Sequence, residues 1–245
     1  MCEIKLEFYA GRADLEEFFI EEGIEEIVGS NFAYSKNLKK ISIPSSVVRV
    51  GSLAFDGCSS LSRIRLCNGL KYLEFGAFNN CVSLKSIFLP ESLYSIGCIP
   101  FGGCYNLESL RVSKKNPYFK SKDNCILSKD GTVLYIGCRT SIIPDGVTLI
   151  DKGAFYGCKK LKKIVLPRSL KEIFDEAFRG CSSLEVVYMY ADIVPLIDPS
   201  AFLQCYNLRD VFVMVGSATL TQNLRLIARL FKGKNLHFIP EVEIC

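Results

Sequence analysis

The 245-residue sequence contains no tryptophan, three methionines and a single histidine. His237 stands alone near the C-terminus, so imidazole acid–base pairs and histidine metal sites lack raw material at neutral pH. Long apolar runs are missing too. None reaches the roughly 20 residues a membrane helix needs. Residues 1–19 break up their apolar positions with Glu3, Lys5, Glu7, Arg12 and Asp14, which leaves no signal-peptide core. No membrane insertion is therefore expected. A chain native from Met1 is expected in the cytosol, whereas one whose leader had been trimmed would be secreted or displayed on a cell surface. A large charge of one sign is also absent. Thirty Lys and Arg against 26 Asp and Glu give +4, too little to attract nucleic acid without local clustering.

A repeat is present throughout. Ala54-Phe55-Asp56-Gly57-Cys58-Ser59-Ser60-Leu61 returns 23 residues later as Ala77-Phe78-Asn79-Asn80-Cys81-Val82-Ser83-Leu84. The final leucine aligns further copies at Leu38, Leu107, Leu161, Leu184 and Leu208, with a degenerate first copy at Leu15. From Leu15 onward the intervals are 23, 23, 23, 23, 54, 23 and 24 residues, so a single interval carries 31 extra. Each copy continues Leu-x-x-Ile-x-Leu and often Pro, as in Leu84-Lys85-Ser86-Ile87-Phe88-Leu89-Pro90. That alternation is a short strand, and proline ends it by removing a donor.

A 23-residue unit cannot bury its own apolar residues, so neighbouring turns must stack and share one core. The fold class expected is an α/β repeat solenoid, a right-handed coil of about eight rungs with a parallel sheet on one face. At about 4.8 Å per strand it would span roughly 40 Å. The chain reads as one domain: an N-terminal cap over 1–14, rungs 1–5 over 15–112, an insertion over 113–140, the remaining rungs over 141–216 and a C-terminal cap over 217–245. Within the insertion, Cys125-Ile126-Leu127 and Thr132-Val133-Leu134-Tyr135-Ile136 flank Asp130-Gly131, which predicts a β-hairpin. In the C-terminal cap, 217–230 reads as an amphipathic helix. Ser217 is its N-cap, and Leu220, Leu224, Ile227, Ala228 and Phe231 form one stripe. Residues 234–240 would add one more strand.

The phrase Ala-Phe-x-x-Cys-x-x-Leu-x-x-Ile-x-Leu-Pro, with Asn116-Pro117-Tyr118 and Lys129-Asp130-Gly131-Thr132 elements in the insertion, resembles the BspA-like leucine-rich repeat family over about residues 15–215. That resemblance implies a leucine-rich repeat coil without enzymatic activity. It also implies adhesion to host matrix or cells by bacterial or protist surface proteins. Departures from the phrase include Asn31 and Ser35 for Ala and Cys in the first clear copy, and Pro100 for Ala.

Six of the twelve cysteines share one repeat position: Cys58, Cys81, Cys104, Cys158, Cys181 and Cys205. Stacked rungs would bring them into a column whose parallel Cβ vectors suit packing better than bridging, so a reduced structural column is expected. The insertion is expected to leave the stacking of this column intact. A linear column supplies no tetrahedral ligand set. No metal site, cofactor or catalytic residue is expected, although an off-column cysteine (Cys2, Cys67, Cys98, Cys125, Cys138 or Cys245) keeps an enzymatic alternative open.

Residues two and four places after each anchor leucine should face outward. They form one column of Glu17, Lys40, Arg63, Ser86, Ser109, Lys163, Val186 and Asp210, and a second of Phe19, Ser42, Arg65, Phe88, Arg111, Val165, Tyr188 and Phe212. Between Lys40 and Tyr188 these columns hold five basic residues and no acidic one. Arginine beside aromatic residues is the composition of interface hot spots. The candidate binding face is therefore Lys40, Arg63, Arg65, Phe88, Arg111, Lys163, Val165, Tyr188 and Phe212. Strand positions also favour such residues without any ligand. The expected partner is a protein, acidic in character; an anionic glycan is a second candidate and nucleic acid the least favoured. The competing reading is a structural protein that self-associates through its caps or strand edges.

Overall fold

The anchor leucines and the apolar residues three and five places beyond them turn inward, and that single preference builds the molecule. In the computed structural model, which describes residues 7–191, 194–216 and 221–240, Leu38, Leu61, Leu84, Leu107, Leu161, Leu184 and Leu208 are all buried. Ile41 and Ile43, Ile87 and Leu89, and Val187 and Met189 lie beneath the same sheet. Burying one such side chain contributes about 1.5–3 kcal/mol, and the period repeats that gain in every turn.

Each turn places a short strand on a first face, Lys40–Ile43 and Arg63–Leu66 for example. A two-residue strand follows on a second face, such as Arg49–Val50 and Tyr72–Leu73. Neighbours pair in parallel with the sequence period as register: Lys40 opposes Arg63, Ile43 opposes Leu66, and Ser86 opposes Ser109. A ninth first-face strand, Asn235–Pro240, pairs in parallel along the whole of Asp210–Val215. The chain is thus a parallel-strand solenoid of about nine turns.

Two columns run along its length. The phenylalanines stack nearly face to face, Phe32–Phe55 at 5.0 Å, Phe55–Phe78 at 4.9 Å and Phe78–Phe101 at 5.7 Å between ring centres. Tyr9 extends the stack at 5.2 Å from Phe32. Beside them the cysteines are free and buried. Five of the six column thiols donate to the carbonyl of the aromatic residue one turn earlier: Cys58 to Phe32 (3.0 Å), Cys81 to Phe55 (3.2 Å), Cys104 to Phe78 (3.1 Å), Cys181 to Phe155 (3.2 Å) and Cys205 to Phe178 (3.1 Å). A small apolar side chain that also carries a donor answers both demands of the site. Ser35 shows the same logic, because its hydroxyl donates to the Tyr9 carbonyl at 2.8 Å. Asn31, in an alanine position, reaches the Glu7 carbonyl at 3.1 Å.

The insertion interrupts the phenylalanine stack between Phe101 and Phe155. Gly137 takes the place of a phenylalanine in the backbone ladder, its N–H donating to Ala154 at 2.8 Å as Phe55 donates to Ala77. Cys158 accordingly faces the Gly137 carbonyl, at 3.8 Å, in place of that of Phe101. A Cβ on Gly137 would lie 2.0 Å from the Phe155 ring, so the ring occupies the space a side chain would need. Beyond this point the stack resumes with Phe155–Phe178 and Phe178–Phe202, both at 4.9 Å. The buried core divides at the same place into an N-terminal and a C-terminal cluster.

Asn116 anchors the insertion. Its buried amide donates to the Pro90 and Leu93 carbonyls and accepts from the Tyr118 and Phe119 N–H groups, so all its polar capacity toward the fold is used. Cys125–Ser128 and Val133–Ile136 form the expected antiparallel hairpin around Asp130-Gly131. A further strand, Phe119–Lys122, pairs antiparallel with Cys125–Ser128 across Asp123 and Asn124. Both of these turn residues have positive φ, as a primed two-residue turn requires. Val133–Ile136 then joins the second-face sheet by pairing in parallel with Leu149–Ile150.

At the C-terminal end the helix is Thr221–Leu230. Ser217 and Leu220 lie outside the described residues. Ile227 and Phe231 are buried and Leu224 is half-buried, with Phe231 5.6 Å from Phe202. Ala228 is exposed and does not belong to the stripe.

Candidate binding face

Alternation along each strand decides which side chains leave the core, and none of the sixteen outward positions read from the repeat is buried. Pairing sets them side by side. Arg63 neighbours Lys40, Arg65 neighbours Ser42, Phe88 neighbours Arg111, Lys163 neighbours Val186, and Val165 neighbours Tyr188. The face is not one continuous ladder. Its hydrogen-bonded strands form groups of three, two and four, and the hairpin occupies the gap between Ser109–Val112 and Lys163–Val165.

The charges are not equally free. Lys40 sits 3.3 Å from the Glu17 carboxylate and 5.1 Å from the Phe19 ring centre, so its charge is locally compensated. Arg63, Arg65, Arg111 and Lys163 form no ion pair among the described residues. Phe88 is 53% exposed and Val165 44%, which puts apolar surface next to uncompensated cations. Toward the C-terminal end Tyr188 stacks on Phe212 at 5.0 Å, and Phe212 on His237 at 4.5 Å. The His237 Nε2 lies 2.7 Å from Asp210. Hydrogen bonds from His237 and Asn235 hold the Asp210 carboxyl below the usual carboxylate range.

Sequence reasoning missed His237 as part of this face, although its strand was foreseen. Phe212 pairs with it 25 residues on, two more than the period. It also missed the lysines of the insertion. Lys114, Lys120 and Lys129 gather around Arg111 and Phe88 at a groove of about 390 Å³. The position of Lys129 is set by its ammonium, which donates to the Asn116 carbonyl.

Burial decides the chemistry of the thiols. It pushes Cys58 and Cys125 up to about 12 and raises Cys81, Cys158 and Cys181 as well. Off the column, Cys138 is buried while Cys67 and Cys98 are half-buried, and Cys98 too is raised by burial. Cys2 and Cys245 lie outside the described residues. Among the described residues no three or more of His, Cys, Asp and Glu gather to hold a metal ion.

The repeat phrase, the rung and its columns all meet in one comparison. The family model for the BspA type leucine-rich repeat region, in six copies, matches residues 3–125 and 135–237. The chain belongs to the BspA-type leucine-rich repeat family. The stretch between the two matches falls within the hairpin insertion, which elaborates the BspA-type repeat without replacing it. Proteins of this family are typically protein-binding or adhesion modules built on a repeat scaffold. Solved structures similar to the chain include the pneumococcal vaccine antigen PcpA, at 16% identity and a TM-score of 0.57 over 93% of this chain and 78% of that one. A leucine-rich repeat protein from Eubacterium ventriosum gives 20% and 0.56 over 92% and 73%. A leucine-rich cell surface protein from Faecalibacterium prausnitzii gives 19% and 0.61 over 94% and 74%. At these identities the likeness is one of fold. No curated protein matches the chain.

Proposed function

We propose that this BspA-type chain is a non-enzymatic protein-binding module that docks a partner on the exposed first face of its solenoid. The observation that carries the reading is the coexistence of four cations without an ion pair among the described residues, Arg63, Arg65, Arg111 and Lys163, with exposed Phe88 and Val165 on one face. Uncompensated charge steers an acidic partner, and apolar side chains beside arginine supply the desolvated contacts that dominate affinity. The Cys58 and Cys158 thiols favour no nucleophilic role, because burial disfavours the thiolate that such chemistry needs.

A second reading, self-association, draws on the outer edge of Asn235–Pro240, where Phe238 is 50% exposed. The test is capture of partners from cytosolic extract and from extracellular matrix on immobilised wild-type chain and on an Arg63→Glu, Arg65→Glu variant. A partner held by the wild type and lost by the variant is expected. Equal retention by both would overturn the assignment of the face, and concentration-dependent oligomers without captured partners would favour self-association.

A further inference from the structure

The groove beside the insertion has a chemistry of its own. One wall is the first-face strand Ser109–Val112, which supplies Arg111, with the Phe88 ring next to it on the neighbouring strand. The other wall is Phe119–Lys122, which supplies Lys120, while Lys114 and Lys129 close the rim. Four cations thus converge on about 390 Å³, and no carboxylate lines the groove. The carboxylate nearest in sequence, Asp130, is already engaged by Ser128 (2.5 Å) and by the hydroxyl and N–H of Thr132 (2.9 and 3.0 Å). Arg111, Lys114 and Lys120 take part in no ion pair among the described residues, although Lys120 is close enough to Asp130 to help lower its carboxyl. The floor is different: Phe88, Val112 and Phe119 make it apolar.

We infer that this groove binds an extended acidic peptide segment, whose carboxylates meet Arg111, Lys114 and Lys120 while an apolar side chain between them fills the floor beside Phe88. The inference rests on the protein-binding reading and names the partner chemistry for one part of that face. The volume suits a few side chains and excludes a folded domain. A sulfated glycan would satisfy the rim and leave the floor without a matching group, so the apolar floor favours peptide.

The hairpin is what makes this site. Within each group of first-face strands, a strand is hydrogen-bonded to the next strand. Here the Val112 N–H is met by the Ser121 hydroxyl at 3.1 Å, so the sheet ends against a side chain and a depression opens.

Fluorescence anisotropy on the full chain tests the assignment with three labelled probes: a peptide alternating glutamate and leucine, one alternating glutamate and serine, and a heparin oligosaccharide. The comparison variant is Lys114→Gln, Lys120→Gln, which removes charge and keeps a polar side chain at positions that are exposed and half-buried, so its melting temperature should match the wild type. The glutamate–leucine peptide should bind most tightly, and the variant should lose about tenfold or more of that affinity, as removal of charge-assisted contacts requires. Undiminished binding by a folded variant would overturn the inference, as would equal affinity for the glutamate–serine peptide, tighter binding of heparin, or no peptide binding to the wild type. Charge reversal at Lys71 and Lys171, exposed positions next to second-face strands, should leave peptide affinity within about twofold. A captured protein partner lost through Arg63 and Arg65, with no peptide bound in the groove, would therefore sink the groove alone and leave the face standing.

Discussion

Replacing Gly137 with alanine should damage the molecule at the joint between its two cores. The new methyl would sit 2.0, 2.2 and 2.6 Å from the Cε1, Cζ and Cδ1 atoms of Phe155. Ordinary carbon contacts lie near 3.5–4.0 Å, so the ring or the backbone must shift by more than about 1 Å. Neither has room, since Phe155 is fully buried and its far side rests on Phe178 at 4.9 Å. Gly137 does not have a positive φ, so alanine there meets no backbone penalty and the whole effect comes from the ring. Overpacking of a well-filled core costs about 1–3 kcal/mol, and the lack of any direction for relief puts this case at the upper end. For a chain of this size each kcal/mol lowers the melting temperature by about 2–4 °C, which gives a drop of roughly 6–12 °C. Because solenoid turns are coupled only to their neighbours, the variant should also separate unfolding into two steps. Calorimetry would read both effects. Adding Phe155→Leu should restore part of the lost stability through the coupling of the two sites. A single transition within about a degree of the wild type, or no coupling to Phe155, would refute the idea that Gly137 is there to make room for the ring.

Cys81→Ser keeps a donor for the Phe55 carbonyl, as Ser35 does for Tyr9, whereas Cys81→Ala leaves that carbonyl with the Cys58 N–H at 3.2 Å and loses the second bond, at a cost of about 0.5–1.5 kcal/mol. Urea denaturation should rank serine above alanine, and the opposite order would remove the donor role of the column. Alkylation of the native chain near neutral pH, followed by mass spectrometry, should modify Cys67 and Cys98 before Cys58, Cys81 or Cys158, whose thiols burial raises. Early labelling within the column would contradict the packing described. The hydroxyl of Ser128 and the Thr132 hydroxyl and N–H hold Asp130 to about 2, so its small contribution to stability is present above the ordinary carboxylate range and is lost as pH falls toward 2. Ser128→Ala should move the Asp130 titration back upward in a carboxyl NMR measurement, and an unmoved titration would discount that bond.

The period was legible because each turn must set the same residue on its neighbour, so a 23-residue spacing in sequence becomes a register of 23 between strands. Leu61, Phe55 and Cys58 could be placed for that reason without any knowledge of the turns between them. The strand Phe119–Lys122 was not legible. Its turn uses Asp123 and Asn124 with positive φ and lacks the glycine that marked Asp130-Gly131. Gly137 was hidden as well, because it enters the ladder from the insertion, where the period does not run. The same holds for Lys114, Lys120 and Lys129, which share no spacing and meet Arg111 only once the hairpin has folded. Counting charges along the outward columns located the cationic face but overstated it at Lys40. The compensating Glu17 lies one period earlier in the same column, outside the interval that was counted.

The most direct test of the binding face compares two variants of equal charge in the same capture experiment. One carries Arg63→Glu and Arg65→Glu on the first face, and the other carries Lys71→Glu and Lys171→Glu, exposed positions next to second-face strands. Both change the net charge equally, so general attraction would weaken them alike, whereas a docking face distinguishes them. Loss of the partner by the first variant and retention by the second is the expected result; equal loss, or retention by both, would contradict binding through the first face of the solenoid.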